Sequence, residues 1–448
     1  MLTDLSFLDP GKSYPPKQEL NRLSEYRKNE DLFHTKIPQE WMEHFDEIAH
    51  RLGRTKTEIN TIFGYQQLIS KKTADFTCGE PPTIETEQDT DAIMKLLDRL
   101  EFFPKLYEAF IDISRFGNAV VKFRGKSIAA VSPFFWFPVC DPGDLKKVTH
   151  HVISYPIDPD EHGIMQKLYT EIHTPGWIEI RINRYTQTGI GDLVEPAKIE
   201  PTGLDDFAVQ VLTNITCSSD LFGISDYSEI NSIIERLIWR FSCIDRVLDK
   251  HSDPTMSGPA DALERDERFG TSFLNLGKYF ARDTGDSPDL HYITWDGNLD
   301  SSFKEAEMLF NQLYILSEMG QAFADAGGSD SSGTALKLRL VSPRVKAARL
   351  VKLNNSRVKR IISMLCSLNG ISLDYDSLDL HWYDGLPIDE AEQTTILLSA
   401  TGGKPIMSQY SALKQRGLTD TQVEAELEQI TAEEAALQPV QLGVVDRE

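Results

Sequence analysis

Nine basic side chains occupy one stretch of this chain, and ionic binding to an acid or a phosphate is the chemistry that their types allow. Between Asp330 and Asp374 the sequence contains no acidic residue. The basic residues of that interval are Lys337, Arg339, Arg344, Lys346, Arg349, Lys352, Arg357, Lys359 and Arg360. The whole chain carries a formal net charge of −23. A basic segment inside so acidic a chain indicates either contact with nucleic acid or pairing with acidic protein surfaces.

No catalytic constellation appears in the sequence. A nucleotide-binding loop has the form GxxxxGK[ST], whereas the nearest run here has Leu398 at the first glycine position and Pro405 in place of the hydroxyl residue. The GxSxG and HExxH signatures are absent. A solvated turn, rather than a metal site, is the interpretation of Asp158, Asp160, Glu161 and His162. The sequence therefore predicts neither an enzyme nor a bound cofactor or metal.

The basic residues are predicted to lie on one long helix behind a flexible segment. Apolar residues recur at spacings of three, four and seven from Val341 to Leu365, which is typical of one helix face. Pro343 removes a helical hydrogen bond and predicts a bend near Ser342 or a meeting of two helices there. The preceding segment has three glycines and three serines, and it reads Gly327, Gly328, Ser329, Asp330, Ser331, Ser332, Gly333 and Thr334.

Composition limits the classes of protein that this chain can represent. Its 448 residues predict two to four structural units, and its 26% charged residues are typical of a folded soluble protein. The acidic balance argues against a general nucleic-acid coat, but it does not exclude a protein that lets nucleic acid pass without binding it tightly. Five widely spaced cysteines without a CxxC pair predict buried free thiols in a reducing cytoplasm. Neither a secretory signal nor a membrane span is predicted.

The first half of the chain changes from helical to strand-like patterns. Residues 1–35 are polar and contain Pro15-Pro16, so a loosely ordered arm is predicted. Ile178, Ile180 and Ile182 alternate with polar residues, as in a strand with one buried face. The run from Phe134 to Phe137 is assigned to packing between sheet and helices, because no basic residue is interleaved as base stacking would require. Helices are predicted over 38–52, 57–74 and 91–116, and strands over 119–123, 128–131, 148–155, 178–185 and 207–215.

Two long helical patterns, at 226–250 and from 302 onward, bracket a compact insertion of residues 254–300. This arrangement predicts a stalk with a tip. In this order the segments resemble the portal (connector) proteins of tailed bacteriophages, over most of residues 55–435. The motifs that carry the resemblance are Phe63-Gly64 through Gly79-Glu80-Pro81-Pro82, Ser132-Pro133 to Pro138-Val139, Asp253-Pro254 with Ser257-Gly258-Pro259, Ser332-Gly333-Thr334-Ala335-Leu336, and Pro405-Ile406-Met407-Ser408 through Glu428.

The resemblance implies an α+β fold with a mixed α/β wing, two long stem helices, a small α/β clip insertion and a helical crown. On this mapping the wing is residues 1–225 with 336–385, which include the long basic helix. The stem is 226–252 with 301–326, the clip is 253–300, the tunnel loop is 327–335, and the crown and tail are 386–448.

The resemblance also implies a homo-oligomeric ring, usually of twelve copies, at one vertex of a capsid. Double-stranded DNA would pass through its channel during packaging and ejection. The packaging motor (terminase) and head–tail adaptor proteins would dock on the clip, and capsid and scaffolding proteins would meet the wing. Such a protein belongs to the virion, is assembled in the bacterial host cytoplasm, and has no membrane partner.

The roles of the basic residues follow from the electrostatics of moving DNA. Each cation bound to phosphate adds affinity that moving DNA must break, so an acidic channel keeps DNA mobile. Most of the basic residues are therefore predicted to pair with neighbouring subunits. Lys337 and Arg339 are the nearest candidates for DNA, and contacts of either kind are predicted for Arg344, Lys346 and Arg349. The alternatives are an acidic adaptor that forms no ring, and an enzyme of DNA packaging.

Overall fold

A computed structural model divides the chain into two compact units, Met1–Gly385 and Leu386–Glu448. The crown is predicted to begin at the same boundary. The structure describes residues 1–54, 57–158, 165–186, 189–252, 255–259, 264–265, 272–273, 279–282, 291–293, 299–320, 338–383, 390–401, 406–416 and 420–437.

The helices of the first unit fall into a short N-terminal set and three long members. The short set comprises α1 (Leu20–Phe33), α2 (Gln39–Arg51), α3 (Tyr65–Cys78), α4 (Thr90–Arg99) and α5 (Phe102–Phe116). The long members are α6 (Asn231–Ser252), α7 (Asp300–Leu316) and α8 (Val341–Leu368). The single helix predicted over 91–116 is two helices, because Glu101 between them adopts a left-handed backbone with φ of 51°.

Strands of the first unit form separate small sheets and one large sheet. They are β1 (Thr83–Glu85), β2 (Asn118–Arg124), β3 (Ser127–Val131), β4 (Trp136–Asp141), β5 (Asp144–Ile157), β6 (Met165–Thr174), β7 (Trp177–Thr186), β8 (Gly189–Leu193), β9 (Lys198–Pro201), β10 (Val209–Thr213), β11 (Thr255–Pro259), β12 (Glu264–Arg265), β13 (Ser272–Phe273), β14 (Tyr279–Arg282), β15 (His291–Ile293) and β16 (Asp379–His381).

The large sheet runs in the order β4-β5-β6-β7-β8, with β9 paired to β7, and a three-stranded sheet runs β10-β2-β3. In the predicted clip, β11 pairs with β14 in parallel and with β15 in antiparallel orientation, and β12 pairs with β13. Strands β1 and β16 form a further pair. This mixture of helices and sheets confirms the predicted α+β class.

The aromatic run predicted to pack inside the protein does so. Trp136 and Phe137 are 1% and 0% exposed. Trp136 packs with Val120 and Ile153 in the core between the large sheet and the β10-β2-β3 sheet. Phe137 points to the other face of the large sheet. Full burial of each such side chain contributes about 1.5–3 kcal/mol.

The N-terminal arm is ordered, so the prediction of a loose arm was wrong. Leu2 forms a parallel β-bridge with Val139, and Phe7 and Leu8 are buried against the face of the large sheet that carries Phe137. The arm covers apolar residues of β4, β5 and β6 that would otherwise contact water, and this burial offsets the entropy lost on ordering.

The isoleucines of β7 lie on the opposite face of the large sheet from the arm. Ile178, Ile180 and Ile182 are each half-buried, and Asn183 on the arm-facing side is buried. The predicted alternation is therefore present, but the isoleucine face is only half-buried.

The basic helix α8 is also the central core helix of the first unit. Its residues Leu350, Ile361 and Leu365 are fully buried and pack in one cluster with Phe110 and Ile113 of α5. The two other long helices pack on each other through Leu237 and Leu313 among others. Within the described ranges, the structure contains no helix with the length and apolar character needed to span a membrane.

The second unit is helical over its described residues. It contains α9 (Glu390–Thr401), α10 (Gln409–Gln415) and α11 (Asp420–Leu437). Ser408 caps α10, because its Oγ accepts a hydrogen bond from the Ser411 backbone N–H at 3.1 Å. Val423 is the most deeply buried side chain described there.

A buried histidine in the core between the sheets makes the stability of the first unit sensitive to acid. The Trp136 indole N–H donates to His151 Nδ1 at 3.0 Å, and burial lowers the pKa of His151 from 6.5 to about 3. Below about pH 6.5, His151 therefore binds a proton in the unfolded chain but not in the folded protein. Stability is expected to be fully present above pH 6.5 and to fall as the pH drops toward 3.

His151→Gln keeps an acceptor for the indole but removes the titration. In urea unfolding at pH 7, 5.5 and 4, this variant is expected to lose less stability with falling pH than the parent. His150→Gln, at a half-buried neighbour, is the matched control. Parallel pH profiles for the parent and His151→Gln would show that His151 does not cause the acid sensitivity.

Candidate functional site

The end of α7 and the start of α8 meet in a charged junction. Lys346, on the first turns of α8, is only 2% exposed. Its Nζ lies 2.8 Å from Asp226 Oδ2 and donates to the Ser317 carbonyl at 3.4 Å. Ser317 is the residue that directly follows α7. One ammonium group therefore joins the basic helix α8 to the end of α7.

Asp226 collects hydrogen bonds from three further elements. Its carboxylate accepts from Ser114 Oγ at 2.6 Å, Thr73 Oγ1 at 3.2 Å and Asn214 Nδ2 at 2.9 Å. The first two donors belong to α5 and α3. A carboxylate removed from water needs both donors and a cation, and here it has both. This group of residues, Lys346, Asp226, Ser114, Thr73 and Asn214, is called the Asp226 node below.

A second ion pair lies beside the Asp226 node. Arg349 donates from Nη1 to Glu318 Oε1 at 2.9 Å, and its Nη2 contacts Glu318 Oε2. This paired geometry raises the pKa of Arg349. Glu318 has a left-handed backbone with φ of 57°, which costs about 1–2 kcal/mol for a residue with a Cβ. The two-point contact with Arg349 stabilises that conformation.

The two flanks of residues 321–337 lie next to each other. Gly320, with φ of +56°, is so close to α8 that a Cβ added to it would sit 3.5 Å from Ser342 Cβ. Gly320 therefore lies against the start of α8. Ser317 and Glu318, just before it, also contact α8, through Lys346 and Arg349. The predicted tunnel loop, Gly327 to Thr334, and Lys337 lie outside the described residues.

Pro343 lies in the first turn of α8. The helix begins at Val341, so the missing N–H of Pro343 has no intrahelical partner to lose. Helical residues Leu338 and Arg339 precede a turn at Leu340. The break is therefore two residues before the predicted position, and two helical segments meet there.

The structure corrects the expectation for Lys346. Its charge is buried and paired inside its own chain, because α8 packs that face against the loop that carries Asp226; it is not presented to DNA or to a neighbour. Arg349 is one-third exposed and also has its partner within the chain. Arg339 and Arg344 are half-buried, and Arg344 lines an apolar groove with Val345 and Trp382. Contacts of these three arginines beyond the chain stay a prediction.

Partners of the other basic residues on α8 were equally hidden in the sequence. Lys359 pairs with Asp379 at 3.4 Å, and Arg360 with Asp206 at 3.2 Å. Arg357 donates to the Thr213 hydroxyl at 2.6 Å. These partners are distant in sequence, so helical periodicity alone gives no signal for them.

Metal-binding side chains do not cluster in the part of the chain that the structure describes, where no group of three or more His, Cys, Asp or Glu is placed to hold an ion. Of the cluster Asp158, Asp160, Glu161 and His162, only Asp158 is described, and it pairs with Lys167 at 3.1 Å. All five cysteines are free; Cys78, Cys140 and Cys366 are buried as predicted, whereas Cys217 is exposed.

The pattern over nearly the whole chain decides the family. Residues 16–440 match the family model described as "Phage portal protein, SPP1 Gp6-like". The chain belongs to this portal family. The family match confirms the resemblance drawn from the motifs, and it makes the protein a capsid portal protein and a component of a virion. A comparison with curated proteins found no match.

Three solved structures are similar to this portal protein. One is entitled "Neck of empty GTA particle computed with C6 symmetry", with 12% identity, a TM-score of 0.46, and coverage of 85% of this chain and 94% of the other. A second, "Virion of native gene transfer agent (GTA) particle", has 12% identity and a TM-score of 0.43, with 80% and 89% covered. The third, "Neck of native GTA particle computed with C12 symmetry", has 11% identity, a TM-score of 0.42 and the same coverage.

Proposed function

We propose that this portal protein forms a closed ring through which double-stranded DNA enters and leaves the capsid. In this proposal α6 and α7 are the stem, residues 253–300 are the clip on which the packaging motor (terminase) and head–tail adaptors dock, and the wing meets capsid and scaffolding proteins. The ring is non-enzymatic and guides DNA that other proteins move.

The observation that carries the proposal is the exposed apolar surface of α7. Phe303, Met308 and Ile315 are 48%, 69% and 63% exposed in the single chain. Large apolar side chains grouped on one element mark a surface that another protein covers. In a ring, each copy makes the same heterologous contact, in which the apolar surface of α7 would meet a different surface of the next copy, and the contact repeats until the ring closes.

The charge of the chain supports a channel through which DNA slides. With 69 acidic and 46 basic residues, the protein has a net charge of −23, which disfavours tight binding of phosphate. Four described cations of α8 already have a carboxylate partner within the chain, and these are less available to bind DNA: Lys346, Arg349, Lys359 and Arg360. Within this proposal the loop from Gly327 to Thr334 faces the channel, Asp330 keeps its contact with phosphate repulsive, and Lys337 and Arg339 stand behind it as weak brakes.

The test compares the parent with Asp330→Lys and with a variant whose Gly327, Gly328 and Gly333 are alanine. Native mass spectrometry and electron microscopy are expected to show closed rings with a central hole for all three. DNA packaging or retention is expected to suffer in both variants. Asp376→Lys makes the same charge change at an exposed wing position and is expected to behave like the parent.

Two results would contradict separate parts of the proposal. If the parent gives only monomers or two-fold dimers at every concentration and salt tested, the ring is wrong. If rings form and both loop variants package and hold DNA like the parent, the loop is only a connector between helices.

A further inference from the structure

A cavity of about 450 Å³ lies between α8, the large sheet and the β10-β2-β3 sheet. Its wall includes Trp136, His151, Phe207 and Leu221, and Arg357 of α8 reaches into it. Lys146 and Asp220 are exposed residues of the same lining. The cavity therefore combines aromatic and aliphatic walls with a guanidinium group and opens to solvent.

Arg357 is half-buried and has only neutral partners among the described residues. Its Nη1 donates to Thr213 Oγ1 at 2.6 Å and to Asn354 Oδ1 at 3.5 Å. Nη2 and Nε make no hydrogen bond to the described part of the chain, and no described carboxylate lies within 4 Å of the group. Burial lowers the pKa of Arg357, and no nearby acid opposes that shift. A cation held away from water without a counter-charge is costly unless an anion arrives.

Of the neighbouring charges of the cavity, Arg360 is paired with a carboxylate, whereas the exposed Lys146 and Asp220 have neutral hydrogen-bond partners. Arg360 binds Asp206 at 3.2 Å, and Lys146 donates from Nζ to the Cys217 carbonyl at 2.5 Å. Asp220 accepts from Ser219 Oγ at 3.0 Å. The helix itself cannot provide the missing acid, because residues 331–373 contain none. Arg357 lines the cavity with Nη2 and Nε free of described partners, and a guanidinium group can bind a carboxylate with two parallel hydrogen bonds.

We propose that this cavity receives the carboxylate of an aspartate or glutamate from a neighbouring copy of the chain, and that Arg357 binds it. The inference rests on the ring proposed above and names one contact within it. In a homo-oligomer the surface opposite every subunit is the same chain, whose acidic residues outnumber its basic residues by 69 to 46. A single side chain fits a cavity of this size, whereas a DNA duplex needs an open surface with several unpaired cations.

The first experiment separates folding from assembly. Arg357→Met removes a cation that lacks a counter-charge in the single chain, so the dissociated chain is expected to unfold at the same or a higher urea concentration. In rings of this variant, the carboxylate of the neighbouring copy has no cation to bind. The protein concentration for half-assembly in native mass spectrometry is therefore expected to rise on the order of thirtyfold or more. Arg360→Met is the matched control, since Arg360 has its acid within the chain, and a change of less than about threefold is expected.

The second experiment identifies the acid. Arg357→Lys places a primary amine in the cavity, and a carbodiimide joins such an amine to a carboxylate in contact with it. Rings assembled from mixed light and ¹⁵N-labelled variant chains are expected to give a cross-link at position 357 that joins one isotope to the other.

Four outcomes would overturn the inference. The first two are Arg357→Met rings that form at the parental protein concentration, and an Arg357→Met chain that is less stable than the parent when dissociated. The third is an Arg357→Lys cross-link that stays within one chain. The fourth is unchanged assembly of Arg357→Met with a loss of DNA retention, which would assign the site to phosphate. A parent that never forms rings overturns the proposed function itself and this contact with it, so the two failures are distinguishable.

Discussion

Replacing Lys346 with methionine is expected to lower the free energy of unfolding by about 3–5 kcal/mol, the usual cost of breaking a buried ion pair from one side. Methionine fills a similar volume but leaves the Asp226 carboxylate, 8% exposed as a side chain, without its cation. Among the described residues, Ser114, Thr73 and Asn214 still donate hydrogen bonds to it. Urea unfolding of the dissociated chain, followed by tryptophan fluorescence, measures the loss.

Two companions make this measurement specific. Arg349→Met breaks the neighbouring pair, which is one-third exposed, and is expected to cost less than about 1 kcal/mol. The double variant Lys346→Met with Asp226→Asn removes both charges and is expected to regain part of the loss. Equal destabilisation by Lys346→Met and Arg349→Met would mean that the Asp226 node contributes no more than a surface pair.

Replacing Phe7 and Leu8 together with alanine is expected to remove most of the stability of the first unit. Each truncation in a packed core costs about 3 kcal/mol or more, and whole domains are stable by only about 5–15 kcal/mol. Phe7 and Leu8 are 7% and 5% exposed, and the Phe7 ring lies 6.2 Å from that of Phe137. The soluble yield and the melting temperature report the effect.

The arm offers its own control. Asp9 and Lys12 are exposed, and replacing both with alanine keeps the net charge while touching no core. That variant is expected to stay within about 0.5 kcal/mol of the parent. If the Phe7 and Leu8 variant has the same melting temperature as this control, the arm does not stabilise the sheet.

The long helices were predictable because their signal is local and repeated. Ile234 and Leu237 of α6, and Val358 and Ile361 of α8, recur at helical spacing and are buried as the pattern requires. Val341 and Val345, at the start of the stripe predicted for α8, are instead 45% and 58% exposed. Strand β6 was not predicted, since Met165–Thr174 mixes charged, aromatic and aliphatic residues without a clean alternation. Its place between β5 and β7 is set by pairing with both neighbours.

The arm and the junction were mispredicted for one shared reason. Their partners are far away in sequence: Leu2 contacts Val139, and Lys346 contacts Asp226. Composition shows a few apolar residues in a polar arm and a cation on a basic helix. It does not show that a sheet face binds the arm or that a buried carboxylate binds Lys346. The sequence therefore favoured disorder for the arm and an external contact for Lys346.

The pairing of Leu2 with Val139 also sets an order of events during synthesis. Ile172, the last member of the cluster that buries the arm, emerges from the ribosome 170 residues after Leu2. At translation rates of about 5–20 residues per second, the arm waits roughly 10–30 s for its binding surface. The first segment to be made is therefore among the later ones to fold, and its apolar residues stay available to chaperones until the sheet is complete.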